Sequence, residues 1–201
     1  MNKYNFNGDL TPFGMPLWDV AKQPFPEEFP EYHTPTAGIL LQCEAVMLLE
    51  HAREKKLIVD IGTFWGLSAS IMSLVAEQVI TIDVYMKFNG LTYEQVQRGG
   101  LSKFKNITAI ESDADEVART FSKPVDLIFI DANHEYKNVK GNFDSWFPKV
   151  TVGGEILFHD YQVYFRDEVM KFINDEVITR KDLEVIDKVG TIIAFRKLGN
   201  K

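Results

Sequence analysis

The chain has 201 residues, 45% of them hydrophobic and 25% charged, which suits one compact domain with a substantial core and excludes a disordered or collagen-like polypeptide. Lys and Arg number 22 against 29 Asp and Glu, a net charge of −7 with a pI near 5.2, so a nucleic-acid backbone would be repelled over most of the surface. A single cysteine, Cys43, excludes an intrachain disulfide and a zinc knuckle, and no apolar run reaches the length of a membrane span. The expectation is a cytoplasmic protein with neither nucleic-acid nor membrane partners, free to form a homo-oligomer.

The first 36 residues hold six of the eight prolines together with Phe13, Trp18, Phe25, Phe29 and Tyr32, and read as an arm, residues 1–35, laid over a single domain, residues 36–201. A helical pattern follows, with Leu40, Cys43 and Met47 on one stripe and Cys43 read as a core residue, ending in the basic run 53–56 that suits a helix C-terminus. Short apolar runs then recur at 57–61, 79–84, 107–110, 125–130 and 155–158, and read as buried parallel strands. The spacers read as helices: 68–77 with Ile71, Met72 and Val75 inward, a helix opened by the D-x-x-E of Asp113 and Glu116, and a third with Tyr136, Val139, Phe143 and Trp146 on one face. After a last helix carrying Val169, Ile173 and Val177, the runs 183–189 and 191–195 are parted only by Gly190, which predicts an antiparallel pair. This is the pattern of a Rossmann-like α/β fold, a doubly wound and mostly parallel sheet with one antiparallel strand near the C-terminus and helices on both faces. In such sheets the ligand site lies at the carboxyl ends of the strands.

The first strand runs into Asp60-Ile61-Gly62-Thr63-Phe64-Trp65-Gly66-Leu67-Ser68, a glycine turn before a helix. A dinucleotide fingerprint starting at Gly62 would need glycine where Phe64 and Leu67 stand, and a P-loop would need a lysine before Ser68. NAD and ATP fit poorly. An acid, two glycines and a hydroxyl without a phosphate-binding cation suit a cofactor with a positive centre and an α-amino group, such as S-adenosylmethionine.

The run VDIGTFWGLSAS resembles motif I of the class I S-adenosylmethionine-dependent methyltransferases, in particular the small-molecule O-methyltransferases of the catechol type. The D-x-x-H-x-Y of Asp131, His134 and Tyr136, followed by the G-G-x-x-x-x-H-D ending in His159 and Asp160, is similar to the branch with the macrolide-sugar and cephalosporin-type enzymes. The resemblance covers residues 36 to 197. It implies cofactor contacts from Asp60, Gly62, Thr63, Gly66, Ser68, Asp83, Ser112, Asp113 and Asp131. Asp83 ends the second strand and would accept both ribose hydroxyls, while Ser112 and Asp113 would face the adenine; an N-cap role accounts for Asp113 equally well.

The same resemblance implies a divalent ion, Mg²⁺ or Mn²⁺, on Asp131 and Asp160, with the third ligand open. Catechol-type enzymes use an Asn where Tyr161 stands, and the macrolide-sugar branch an acid where His159 stands, so His159 completes the expected metal set unless it is a structural core histidine. His134 occupies the place of the family's lysine base, near a helix start that would keep the ring neutral; a helix-cap histidine is the alternative. Asp131 and His134 are thus the expected catalytic pair. The implied function is methyl transfer to a hydroxyl of a small molecule such as a sugar, another polyol or a phenol. A non-catalytic cofactor-binding module and an NAD-linked oxidoreductase are the alternatives, the latter weakened by Phe64 and Leu67.

Overall fold

The computed structural model describes residues 40–85, 92–94, 96, 101–163 and 167–199. The arm expected over 1–35, and most of residues 86–100 between the second and third strands, lie outside the described residues.

The elements in chain order are α1 (Gln42–Ala52), β1 (Leu57–Ile61), α2 (Leu67–Ser73), β2 (Gln78–Asp83), β3 (Ile107–Glu111), α3 (Ala114–Thr120), β4 (Val125–Ile130), α4 (Tyr136–Trp146), β5 (Val150–Phe158), α5 (Asp167–Phe172), β6 (Leu183–Val189) and β7 (Ile192–Lys197). The seven strands form one sheet in the order β3-β2-β1-β4-β5-β7-β6. β1 pairs in parallel with both β2 and β4, β4 in parallel with β5, and β7 antiparallel with both β5 and β6, so β7 is the reversed strand. The chain order reverses direction between β1 and β4, which opens a crevice at their carboxyl ends.

Alternation along the strands assigns each side chain to a face. Ile58, Val79, Leu127, Phe129, Leu157, Ile192 and Ala194 pack with α1 and α2 into one apolar cluster. Their neighbours Val59, Ile61, Ile80, Ile82, Ile128, Ile156, Phe158 and Phe195 pack with α3, α4 and α5 into another. Strands buried on both sides have no polar period, which is why they read as unbroken apolar runs.

Two local expectations shift. The helix expected over 68–77 stops at Ser73, where the ladder tightens: Leu74 N–H donates to the Ile71 carbonyl at 3.2 Å and Val75 N–H to that of Met72 at 3.3 Å. Asn106 Nδ2 donates to the Ser73 and Ala76 carbonyls there, which satisfies two acceptors at the helix end. On α1 the buried face runs through Glu44, Ala45, Val46, Met47 and Leu48, which leaves Cys43 half-buried rather than in the core. No helix among the described residues is long and apolar enough to cross a membrane.

Candidate active site

Main-chain hydrogen bonds continue past the strand ends and bring three loops level. Gly62 N–H donates to the Ile82 carbonyl at 2.9 Å, Asp131 N–H to that of Ile61 at 2.9 Å, and His159 N–H to that of Ile130 at 3.1 Å. The residues singled out from sequence therefore gather at the carboxyl end of the sheet, around the crevice.

Beneath the glycine turn lies a buried polar network. Asp60 is fully buried on β1; its carboxylate accepts from Ser68 Oγ at 3.0 Å and Thr81 Oγ1 at 2.7 Å, and Thr81 in turn meets Thr63 Oγ1 at 2.6 Å. Burial pushes the Asp60 carboxyl up to about 7 against the opposing effect of those two hydroxyls. Asp60, Thr63 and Ser68 thus serve the turn from below. The two glycines answer to the protein's own packing. Gly62 has φ +102°, and a Cβ there would fall 2.0 Å from the Asp131 carbonyl oxygen; Gly66 has φ +83°, and its Cβ would meet Leu101 at 2.5 Å.

Asp83, at the end of β2, spans the two loops: one oxygen accepts from Phe64 N–H and the other from Tyr85 N–H, both at 2.8 Å. Phe64 (φ +46°) and Tyr85 (φ +44°) both sit in the left-handed region, a strain that the shared carboxylate helps to hold. An ionised carboxylate offers about four lone-pair positions, so each oxygen keeps capacity for a further donor. Ser112 N–H donates to the Asp83 carbonyl at 3.0 Å, placing the Ser112 loop alongside. Asp113 is the N-cap of α3, its Oδ1 accepting from Asp115 N–H and Glu116 N–H.

At the ends of β4 and β5, Asp131, His134 and Asp160 converge. His134 Nε2 stands 2.6 Å from Asp160 Oδ2 and 3.8 Å from Asp131 Oδ1, and one ligand atom from each of the three lies within 4.8 Å of the others. Asp160 itself sits in the left-handed region at φ +59°. The donor set of two carboxylates and an imidazole fits a divalent ion. His159, expected as the third ligand, faces Glu44 Oε2 through Nε2 at 3.4 Å and both aspartates through Nδ1, 3.4 Å from Asp131 Oδ1 and 3.5 Å from Asp160 Oδ1. Burial disfavours its charge, but Asp131 and the other flanking carboxylates outweigh burial and push it up to about 12, which favours the charged ring beside these acids. Burial likewise raises Asp131, and the His159 charge overrides it and holds the carboxyl below its ordinary range. Tyr161 turns away, its hydroxyl donating to Asn174 Oδ1 at 3.1 Å.

Sequence reasoning missed Glu44. It is 1% exposed on α1, and its carboxylate accepts from Leu41 N–H at 2.7 Å, Thr191 N–H at 2.6 Å and Thr191 Oγ1 at 2.8 Å besides facing His159. Its only sequence signal is a carboxylate on the buried stripe of α1, legible once that stripe is placed one residue further round.

Sheet order, reversed β7 and a glycine turn at the switch point define the fold of the class I methyltransferases. A family model described as a methyltransferase domain matches residues 59–161, and the chain belongs to that family. It is 25% identical over 154 residues to the uncharacterized protein y4gI of Sinorhizobium fredii, a match that spans 67% of this chain and 16% of that relative's length. Among solved structures, the SAH-bound methyltransferase PaMTH1 of Podospora anserina is similar at 17% identity and TM-score 0.67, over 91% of this chain and 88% of that one. The O-methyltransferase TomG of Streptomyces achromogenes, involved in tomaymycin synthesis and solved with SAM, is similar at 17% identity and TM-score 0.64, over 91% and 90%.

Proposed function

We propose that the chain transfers a methyl group from S-adenosylmethionine to a hydroxyl oxygen of a small molecule. The observation that carries this reading is the convergence of Asp131, His134 and Asp160 beside the glycine turn, where an acceptor proton can be removed. The SAH and SAM held by PaMTH1 and TomG on the same fold support the choice of cofactor. So does Asp83, whose two oxygens retain acceptor capacity for two ribose hydroxyls. When bound, S-adenosylmethionine supplies an electrophilic methyl on a sulfonium.

The chain's own residues supply position and proton removal. Asp160 orients His134 through Nε2, and Nδ1 is the ring atom that would take the acceptor's hydroxyl proton. Asp131 stands beside the ring, and the imidazolium formed on proton uptake is stabilised by both carboxylates. With a divalent ion bound, Asp131, His134 and Asp160 would hold it in place of the Nε2 hydrogen bond, and the ion would supply Lewis-acid polarisation of the acceptor oxygen. The two carboxylates and the imidazole favour Mn²⁺ over Mg²⁺. Small hydroxylated acceptors, rather than nucleic acid, suit the acidic surface.

The test is calorimetric titration with S-adenosylmethionine and NAD in parallel, then methyl transfer to a panel of sugars, polyols and phenols with and without Mg²⁺ or Mn²⁺. Binding of S-adenosylmethionine with transfer to one of these supports the reading. Tight NAD binding without S-adenosylmethionine binding overturns it, and cofactor binding without transfer favours the non-catalytic module.

A further inference from the structure

We propose that Glu44 is a positioning residue of this site, one that fixes the His159 ring from α1 and through it the Asp131 and Asp160 carboxylates. Glu44 is held from three sides by Leu41 N–H, Thr191 N–H and Thr191 Oγ1, so its carboxylate is a rigid post rather than a mobile side chain. The turn between β6 and β7 is shaped around it: a Cβ on Gly190 would come 2.4 Å from Glu44 Oε1. That post faces one edge of the His159 ring at Nε2, and Thr191 Oγ1 lies 3.4 Å from the same nitrogen. The other edge, Nδ1, is thereby presented to Asp131 Oδ1 and Asp160 Oδ1 together, in ion-pair rather than hydrogen-bond geometry.

The consequence reaches His134. Asp160 has two oxygens with different duties, Oδ1 toward His159 and Oδ2 toward His134, so a His159 ring that turns changes what Oδ1 faces and with it the set of the carboxylate. Glu44, on a different element from the strand ends, therefore sets the angle at which Asp160 holds the proposed base. The inference rests on the reading of this cluster as the acceptor side, but its test requires no acceptor.

The four histidines of the chain make ring nitrogen spectra assignable, each signal being identified by its loss on substitution. Spectra of the nitrogen-labelled full chain would be compared for the wild type, Glu44→Gln, His159→Asn and the double variant, with calorimetry of S-adenosylhomocysteine alongside. The expected result is that Glu44→Gln shifts the ring signals of His159 and His134, leaves His51 of the same helix in place, and keeps any cofactor affinity within about twofold. In the His159→Asn background, Glu44→Gln should move His134 no further, because the path runs through His159. If Glu44→Gln loses its cooperative thermal transition, Glu44→Asp keeps the charge while withdrawing it from the ring, and should give the same shifts. An unmoved His134, a His134 shift that persists without His159, or a parallel displacement of His51 each overturns the proposal. Failure of S-adenosylhomocysteine to bind the wild type would instead sink the proposed function, and the spectra would still decide the role of Glu44.

Discussion

Gly62 and the Asp131 main chain are in such close register that a single added carbon on residue 62 would overlap the Asp131 carbonyl, with Asp131 C at 2.6 Å and Ala132 Cα at 2.9 Å as well. The obstruction is backbone, which cannot swing aside, and φ +102° adds strain for any side chain. Gly62→Ala should destabilise the fold by about 3 kcal/mol or more, read as a lower midpoint in denaturant with little change in slope. A stability change near zero would mean that the β1 and β4 exits part easily.

The Asp60 carboxyl gives a pH dependence of defined sign. Its folded value is raised to about 7, so the folded protein keeps a proton that the unfolded chain releases near pH 4. Stability therefore falls as pH rises across that interval, and the contribution is fully lost above the folded value. Asp60→Asn removes the ionisation, so its melting temperature relative to wild type should climb from about pH 4 to about pH 8. A difference that stays flat with pH would show that Asp60 ionises as it does in water.

The strand ends were readable because burial leaves an acid at the end of an apolar run little reason to be there, and Asp83, Asp131 and Asp160 all stand in that position. The runs at 57–61, 125–130 and 183–189 coincide with β1, β4 and β6, and Gly190 marks the turn into the reversed β7. The partners of those acids were not readable. Which way His159 faces depends on Glu44, a residue 115 positions away that reaches it only through the docking of α1 on the sheet. The sequence offered His159 as the third ligand; the fold brings both His159 Nδ1 and His134 Nε2 to the two carboxylates.

Asp83→Ala should weaken binding of S-adenosylmethionine for two reasons. It removes the acceptors proposed for the ribose, each bond to a charged group contributing about 1.5 to 3 kcal/mol at most, and it releases Phe64 N–H and Tyr85 N–H, which it now fixes. Calorimetry would read the first effect, and faster amide exchange at Phe64 and Tyr85 the second. Unchanged affinity would remove Asp83 from the cofactor site.

His134→Ala should lower turnover by roughly a hundredfold or more while leaving cofactor affinity nearly unchanged, because the ring acts on the acceptor proton and lies on the acceptor side. Asp160→Asn, which keeps the shape but weakens the grip on Nε2, should reduce kcat by a smaller factor. Equal loss of cofactor binding in His134→Ala would make the ring structural.

The metal dependence follows from charge. Asp131 and Asp160 end neighbouring strands, and two carboxylates so placed require compensation. His159, which faces Glu44, Asp131 and Asp160, offsets part of that charge when protonated, and a divalent ion beside His134 would offset more. Activity should then disappear with chelator and return with Mn²⁺ more readily than with Mg²⁺, since an imidazole ligand suits the former. Asp160→Asn should raise the ion concentration needed for half-maximal rate. Full turnover of a demonstrated acceptor in excess chelator would leave His134 as a base supported by carboxylates alone, with its Nε2 proton, rather than an ion, between it and Asp160.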